Sequence, residues 1–365
     1  MAPVVGMKSK STDTFKDVSV ESIESQIDKL KSSLGESSHV GLSFSSQNMV
    51  VIASAHSDQA KLERLMGSLV KVHPARFFVL LYDTKIPEMT LNVAVSCQLI
   101  SQEEHICSEI IKIRVGKDEV LRAAGLIRAH LVSGVSTDSL LFFDDSYDVA
   151  IVDQIVPLTD RVVFDSKRYD DLECALHLRS LTKSCVDIEW LRLSIWRTAI
   201  KQVFDLNSVA SSLSCLDEIE IKSGHATKSF AELFLAGWLI HCLRFEVGAL
   251  GLGYYELKTL KSDTVKLRFV DEKEDADLLE LKFTMGSTSD ACEVSSVQIY
   301  REDNRLRTDV NGTFIHRSEA LLEDRTTSEQ LSQFFLVGES LKHYDEALSV
   351  AVELETLRKG YTFAH

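Results

Sequence analysis

Met49-Val50-Val51-Ile52-Ala53 and Phe77-Phe78-Val79-Leu80-Leu81 are two short apolar runs in the first quarter of the chain. The residues between them repeat at the spacing of a single helix face, and they are Leu62, Leu65, Met66, Leu69 and Val70. A strand, a helix and a strand with short connections form the pattern of a βαβ unit. This stretch therefore predicts that a folded α/β domain begins near residue 48.

The residues before this unit read as an accessory segment, 1–47. Residues 1–16 are rich in Ser, Thr and Lys, contain no apolar run of the signal-peptide kind, and read as a disordered tail. An amphipathic helix is predicted from Ser19 to Leu34, because Ile23, Ile27, Leu30 and Leu34 share one stripe. That stripe could dock on the protein's own body or on a partner helix. Residues 35–47 read as a linker.

Downstream of the βαβ unit, the pattern stays mixed up to residue 165. A strand pair is predicted at 93–100 and 106–115, a helix at 117–133, and further strands at 139–143 and 161–165. We expect these elements to complete an N-terminal α/β domain spanning 48–165.

The second half of the chain starts with helical patterns at 169–181, 190–204 and 231–243. The last of these is apolar nearly all round and is expected to be central, with Ser229 and Glu232 as a capping box. Residues 264–317 alternate polar and apolar side chains, which predicts an antiparallel meander. Two helices at 328–337 and 344–358 close the chain.

These patterns give the fold class α+β (mixed α/β). A βαβ-containing N-terminal domain is followed by a helical segment and an antiparallel-sheet domain with C-terminal helices. The corresponding boundaries are 166–325 for the C-terminal α+β domain and 326–365 for the closing helices. The length of 365 residues suits two domains.

The composition argues against two classes of partner. The formal net charge is −15, and no Lys/Arg cluster offers the roughly 6–10 phosphate contacts that non-specific duplex binding needs. The longest apolar stretch, 230–243, is shorter than the ~20 residues that span a bilayer. We therefore expect a cytoplasmic protein that binds neither nucleic acid nor membrane.

Seven scattered cysteines without a C-x-x-C pair do not favour a structural zinc site. Buried free thiols in a reducing compartment are the favoured interpretation. A redox thiol or a disulfide remains the alternative, because pairing depends on distances that spacing does not reveal.

Asp144-Asp145-Ser146-Tyr147-Asp148 is the strongest catalytic motif of the sequence. Carboxylates at the end of a buried strand often hold a hard cation and a phosphate. A metal-dependent enzyme acting on a phosphorylated small molecule through Asp144, Asp145 and Asp148 is therefore the alternative function, beside a solvated turn. The glycines at 248–253 precede a strand and not a helix, so they are not a nucleotide loop, and no cofactor is expected.

The segment Asp187-Ile188-Glu189-Trp190-Leu191-Arg192-Leu193-Ser194-Ile195-Trp196-Arg197 resembles the OpcA family, the glucose-6-phosphate dehydrogenase assembly proteins, which carry a D-x-x-W-x-R-L-x-x-W-R run. Four other stretches agree in the same order, and they are Lys16-Asp17-Val18-Ser19, His73-Pro74-Ala75-Arg76, Ile106-Cys107-Ser108-Glu109 and 231–239. The resemblance covers about residues 16–245. Ser108 stands where many members have a second cysteine, and Ile195 where many have a proline.

The resemblance implies a bacterial non-catalytic effector that binds glucose-6-phosphate dehydrogenase and promotes its active oligomer in the oxidative pentose phosphate pathway. The protein itself would be a homo-oligomer or part of a hetero-oligomer with the dehydrogenase. Candidate contact residues are Asp187, Trp190, Arg192, Trp196, Arg197, His73 and Arg76, and Cys107 is the candidate redox thiol. Trp, Tyr and Arg carry most interface energy, so Arg197→Ala is expected to weaken binding and leave the fold intact. Both Trp190 and Trp196 also fit core positions, and Asp187 and Glu189 could instead hold Arg192 and Arg197 internally.

Overall fold

The computed structural model describes most of the chain. The described residues are 9–11, 15–36, 41–43, 47–99, 104–143, 148–182, 184–224, 230–273, 278–286, 292–322, 327, 329–331, 334 and 343–363. They fall into two compact units. The first lies within 1–168, 177–186 and 327–338, and the second within 169–176, 187–326 and 339–365. The closing helix is thus part of the second unit.

The first unit is built on one mixed sheet. Its strands are β1 (Ser9–Ser11), β2 (Lys16–Asp17), β3 (Gly41–Ser43), β4 (Asn48–Ser54), β5 (Arg76–Tyr82), β6 (Thr90–Leu99), β7 (Glu104–Val115), β8 (Thr137–Phe142), β9 (Arg161–Phe164) and β10 (Cys185–Asp187). Its helices are α1 (Ile23–Glu36), α2 (Gln59–Val72), α3 (Val120–His130) and α4 (Val149–Ile155), and α5 (Glu173–Leu181) lies partly in each unit. Short 3₁₀ turns cover Val20–Ser22, Lys117–Glu119, Val156–Leu158 and Ser166–Arg168.

The strand order of this sheet is β1-β6-β7-β5-β4-β8-β9-β10, with β2 also on β6 and β3 also on β7. The pairs β4–β5, β4–β8, β5–β7 and β8–β9 are parallel, and β6–β7 is antiparallel. The predicted β4–α2–β5 unit is therefore confirmed. Met49 to Ala53 are fully buried, because a parallel strand covered on both faces is apolar at consecutive positions.

Helix α1 docks on the first unit. Ile23, Ile27 and Leu30 are at most 4% exposed, and the helix packs against β6. Of the two alternatives for this stripe, the structure selects docking on the protein's own body. The predicted linker contains β3, which pairs in parallel with β7.

The second unit combines a second sheet with helices. Its strands are β11 (Leu216–Gly224), β12 (Glu246–Leu250), β13 (Tyr255–Lys258), β14 (Thr264–Glu272), β15 (Glu280–Met285), β16 (Val294–Glu302), β17 (Arg305–Gly312) and β18 (His316–Leu321). Its helices are α6 (Ile188–Arg192), α7 (Ser194–Phe204), α8 (Asn207–Ser212), α9 (Ala231–Leu243) and α10 (Tyr344–Phe363), with a 3₁₀ turn at Leu213–Cys215. The mixed α+β class is confirmed.

The second sheet runs β12-β13-β14-β11-β15-β16-β17-β18. The predicted meander is correct from β15 to β18, where neighbours in sequence pair antiparallel. It is wrong between β14 and β15, because β11 lies between them, parallel to β14 and antiparallel to β15. The alternating pattern reports which face a residue occupies, and it does not report which strand is the neighbour.

Two helix predictions need correction. Residues 190–204 do not form one helix, because the chain breaks at Leu193 between α6 and α7.

The capping-box partner Ser229 lies outside the described residues. Helix α9 starts after Phe230 without a side-chain cap, and Glu232 instead accepts hydrogen bonds from Ser223 and Arg358. Most of the predicted helix 328–337 also lies outside the described residues.

Helix α9 is the centre of the second unit, as predicted, with ten consecutive buried residues from Ala231 to Ile240. It packs on α10, and Gly237 lies at the contact. A Cβ at that position would come within 2.3 Å of the Ala347 carbonyl oxygen. Only glycine allows this close approach of the two helix backbones.

Among the described residues, no helix combines the length and the apolar character needed to cross a membrane.

Candidate functional site

The two tryptophans of the predicted contact segment lie in the interior. Trp190, on α6, is 1% exposed and makes edge-to-face contacts with Phe234 of α9 and Tyr344 of α10. Trp196, on α7, is 5% exposed. Aromatic rings with this burial stabilise a core through their large apolar area. The structure thus assigns Trp196 to the core, one of its two expected positions.

Arg197 contacts Trp190 from the next helix. Its guanidinium lies 3.8 Å from the centroid of the Trp190 ring and donates a 2.7 Å hydrogen bond to the Trp190 carbonyl. The residue is 7% exposed. The contact ties α7 to α6 across the break at Leu193, so the arginine has a structural role.

The acidic residues of the same segment are also internal. Asp187 is fully buried and caps the first turn of α6, where its Oδ1 accepts a hydrogen bond from the Glu189 amide. Glu189 is fully buried as well, and its carboxylate pairs with Arg192 at 2.6 Å. The Arg192 side chain keeps 23% of its surface exposed. Arg192 is therefore the charged residue of the segment that stays partly exposed.

Arg76 occupies a buried ionic network in the first unit. Its neighbour in the parallel register between β5 and β7 is Glu109, and the two side chains form an ion pair. Glu109 also pairs with Lys31 of α1. Arg76 donates 2.8 Å and 3.2 Å hydrogen bonds to the carboxylate of Glu24 on the same helix. The network fixes the amphipathic helix to the sheet.

These contacts change the pKa of the Glu24 carboxyl. Burial alone would raise the pKa of its carboxyl, but hydrogen bonds from His130 and Arg76 together with their charges outweigh it and lower the pKa. Glu24 and Glu109 were not singled out as Arg76 partners by sequence reasoning. The available signal was the Glu109 carboxylate directly before the apolar pair Ile110 and Ile111, because a carboxylate that becomes buried requires a cation nearby.

The predicted contact residues thus divide into two groups. One group is buried within the chain itself, and its members are Asp187, Trp190, Trp196, Arg197 and Arg76. Contact of these side chains with a partner stays a prediction. The other group contains Arg192 and His73. His73 is half-buried directly after α2, where its amide caps the helix through the Leu69 carbonyl. These two stay candidates for contact.

The acidic motif at the end of β8 is only partly described, because Asp144 and Asp145 lie outside the described residues. Asp148 accepts hydrogen bonds from the Ala150 amide at 2.8 Å and from the Tyr82 hydroxyl at 2.7 Å. Burial and the bond to Asp148 raise the pKa of Tyr82 to about 12. Both carboxylate oxygens of Asp148 are thus engaged in capping α4 and in holding β5.

Four of the seven cysteines form disulfides, so the free-thiol interpretation is wrong for them. Cys97 and Cys107 are directly opposite on β6 and β7, with Cα atoms 4.0 Å apart. Cys215 and Cys292 are joined across 77 residues. The remaining cysteines are Cys174, Cys185 and Cys242. Burial raises the pKa of Cys174, which disfavours its reactive thiolate. A redox role for Cys107 would involve the pair with Cys97.

Two family models match consecutive parts of the chain. A model described as the glucose-6-phosphate dehydrogenase subunit N-terminal domain matches residues 67–180. A model described as the C-terminal domain of the same subunit, labelled OpcA like the first, matches residues 183–348. Together they cover well over half of the sequence and include every predicted contact residue.

No curated protein sequence matches the chain. Solved structures of similar shape include a mutant of KijD10, a 3-ketoreductase from Actinomadura kijaniata, with 10% identity and a TM-score of 0.49 over 86% of this chain and 98% of that one. An aldose-aldose oxidoreductase from Caulobacter crescentus has 10% identity and a TM-score of 0.47, covering 87% and 98%. Gal80p from Saccharomyces cerevisiae has 9% identity and a TM-score of 0.46, covering 87% and 96%. Similarity at this level carries no functional argument.

Proposed function

Because the chain belongs to the family of glucose-6-phosphate dehydrogenase subunits, the OpcA family, we propose that it binds this dehydrogenase as a non-catalytic subunit and favours the active oligomer. The observation that carries the proposal is the match of both family models, in order, over residues 67–180 and 183–348. The activity remains that of the dehydrogenase, and this chain contributes binding surface. The proposal places the protein in the cytoplasm, with its partner.

The physical mechanism is a shift of an assembly equilibrium. An effector changes the distribution between two states only if it binds one of them more tightly. A preference of about 1.4 kcal/mol for the assembled dehydrogenase would change the ratio of the two states tenfold. By the same linkage, the assembled dehydrogenase binds the effector more tightly than its separate subunits do.

The family motifs support this role indirectly. Their charged side chains stabilise the chain's own structure, between strands in the pair of Arg76 with Glu109 and within α6 in the pair of Arg192 with Glu189. Such residues stabilise the fold. A protein that acts by presenting a defined surface depends on this kind of internal network.

The direct test combines the purified chain with the glucose-6-phosphate dehydrogenase of the same organism. Activity and molecular mass are followed together, by coupled assay and by light scattering after gel filtration. We expect a larger species and a higher rate in the same mixture. If neither mass nor rate changes over a micromolar concentration range, the proposal is wrong.

Arg192 offers a sharper test of where contact occurs. Arg192→Lys keeps a cation beside the buried Glu189 carboxylate and removes the planar guanidinium fork, which lysine does not replace at a contact. We expect dehydrogenase binding about tenfold weaker, with little change in melting temperature. Gln202→Ala, at an exposed position of α7, is the matched control. Unchanged affinity of Arg192→Lys removes Arg192 from the contact surface.

A further inference from the structure

Two histidines and a glutamate meet where the central helix ends and the closing helix begins. His241 lies in the last turn of α9, His343 directly precedes α10, and Glu346 lies in its first turn. The Nε2 atom of His241 is 3.2 Å from the Nδ1 atom of His343. One ligand atom from each of the three residues lies within 4.8 Å of the others.

The spacing of the two imidazole nitrogens suits a shared ion. With zinc–nitrogen bonds of about 2.0–2.1 Å at the tetrahedral angle, two ligand nitrogens are ~3.3 Å apart. The glutamate is exposed, so its carboxylate can close the remaining distance by rotating about its side-chain bonds. A hydrogen bond between two neutral imidazoles would give the same nitrogen separation, and a zinc titration distinguishes the two arrangements.

The site is held by backbone packing and not by flexible loops. Gly237 is one turn before His241 on α9, and Ala347 is one turn after His343. These two residues form the close backbone contact of the helices. At the other end of the pair, Arg358 of α10 forms an ion pair with Glu232 of α9. The positions of both histidine backbones are therefore fixed before any ion binds, which lowers the entropic cost of binding.

The backbone of His343 supports the same conclusion. Its φ angle is +69°, in the left-handed region that is uncommon for residues other than glycine and in which asparagine, aspartate and histidine are enriched. This conformation turns the chain into α10 and brings the imidazole to His241. The chain's net charge of −15 also favours a cation at a partly exposed site.

We propose that His241 Nε2, His343 Nδ1 and the Glu346 carboxylate bind one divalent transition-metal ion, of which zinc suits the two-imidazole, one-carboxylate ligand set best. A water molecule completes the coordination. The ion fastens the start of α10 to the end of α9 and stabilises the second unit. The inference is independent of the proposed function, because it concerns binding of a metal and not of the dehydrogenase.

The test uses the full chain after treatment with a chelator. Zinc is added in a calorimetric titration and in a thermal unfolding experiment, with magnesium as the comparison ion. We expect about one equivalent of zinc to bind and the melting temperature to rise by roughly 5 °C at ~100-fold excess over Kd. Magnesium should have no effect, because it prefers oxygen ligands in octahedral geometry.

Variants assign the binding to these residues. His241→Gln and His343→Asn should each weaken zinc binding by at least about a hundredfold, and asparagine tolerates the left-handed backbone at 343. His316→Gln removes a half-buried histidine of β18 as the matched control. Cys242→Ser removes the thiol next to His241. Both controls should bind zinc as the wild type does.

The outcomes separate the alternatives. The proposal is overturned if the wild-type chain does not bind zinc, if both histidine variants bind it unchanged, or if Cys242→Ser alone abolishes binding. If a histidine variant fails to fold, the site is tested instead by the zinc affinity of Glu346→Gln and by the visible spectrum of the cobalt-substituted wild type. Tetrahedral nitrogen and oxygen ligation without a thiolate band supports the site, and a thiolate band rejects it.

Discussion

At the scale of single residues, the segment 187–197, which carries the resemblance to the family, stabilises the fold. Asp187 caps α6, Glu189 pairs with Arg192, and Arg197 covers the Trp190 ring. Asp187, Glu189 and Arg197 are buried, and each has a hydrogen-bonding or ionic partner, which is the condition under which a folded chain tolerates burial of charge. The same chemistry, Trp and Arg in one window, would also suit an interface hot spot, so residue types alone did not separate the two roles.

Arg197→Ala is now expected to act on stability and not on binding. The substitution removes one of the two donors to the Trp190 carbonyl, which also accepts a hydrogen bond from the Leu193 amide, and it removes the contact with the ring. The expected cost is about 1–3 kcal/mol. Urea unfolding measures the loss, with Gln202→Ala on the same helix as the control. Dehydrogenase affinity should be unchanged at a temperature where the variant is folded. A stable variant with weakened binding would restore the interface interpretation.

Glu24 makes a pH-dependent contribution to the stability of the first unit. Its folded pKa is lower than its unfolded value of roughly 4.3. The ion pair with Arg76 therefore contributes fully above that value and is lost as the pH falls through the folded pKa. We expect Glu24→Gln to be less stable than the wild type at pH 7, with a difference that decreases as the pH falls below the unfolded pKa of roughly 4.3 and is lost below the folded pKa. A difference independent of pH would contradict the assignment.

At the scale of elements, helix packing decides details that the amphipathic patterns leave open. The 190–204 pattern is continuous, yet the chain forms α6 and α7, because Trp190 must reach the core with Phe234 and Tyr344 while Trp196 remains on the second helix. Likewise, α9 and α10 approach closely because Gly237 has no side chain at the contact.

Gly237→Ala should therefore destabilise the second unit by ~1–3 kcal/mol, because the new methyl group overlaps the Ala347 carbonyl. Gly125→Ala is the matched control. That glycine lies on an exposed face of α3 with no atom within 4 Å of an added Cβ, so alanine should stabilise the chain by ~0.4–1 kcal/mol. Thermal unfolding of both variants measures the two effects. Shifts of the same sign would contradict the close contact between α9 and α10.

At the scale of the whole molecule, the chain is two units, each with its own sheet and its own disulfide. Cys97–Cys107 connects neighbouring strands of the first sheet. Cys215–Cys292 closes a loop of 77 residues in the second unit. A cross-link of this kind stabilises mainly by restricting the unfolded chain, by about 2–4 kcal/mol.

The disulfides predict a thiol count for the intact protein. Under oxidising conditions, the denatured chain should expose three titratable thiols, those of Cys174, Cys185 and Cys242. After reduction the count should rise to seven and the melting temperature should fall, because the loop constraints are lost. A thiol-specific reagent in denaturant measures the count. Seven thiols before reduction would show that neither pair forms.

The sequence alone determined the fold class, the βαβ unit, the central helix α9 and the family. All of these rest on periodic apolar patterns or on local runs of residues, which are read without knowing what lies nearby in space. Only the tertiary structure showed that β11 separates β14 from β15, that Arg76 pairs with Glu109 and Glu24, and that Cys97 faces Cys107. The first two arrangements join residues far apart in the chain, and the third depends on the register of the β6–β7 pair. Whether an arginine or a thiol is buried or exposed depends on such contacts.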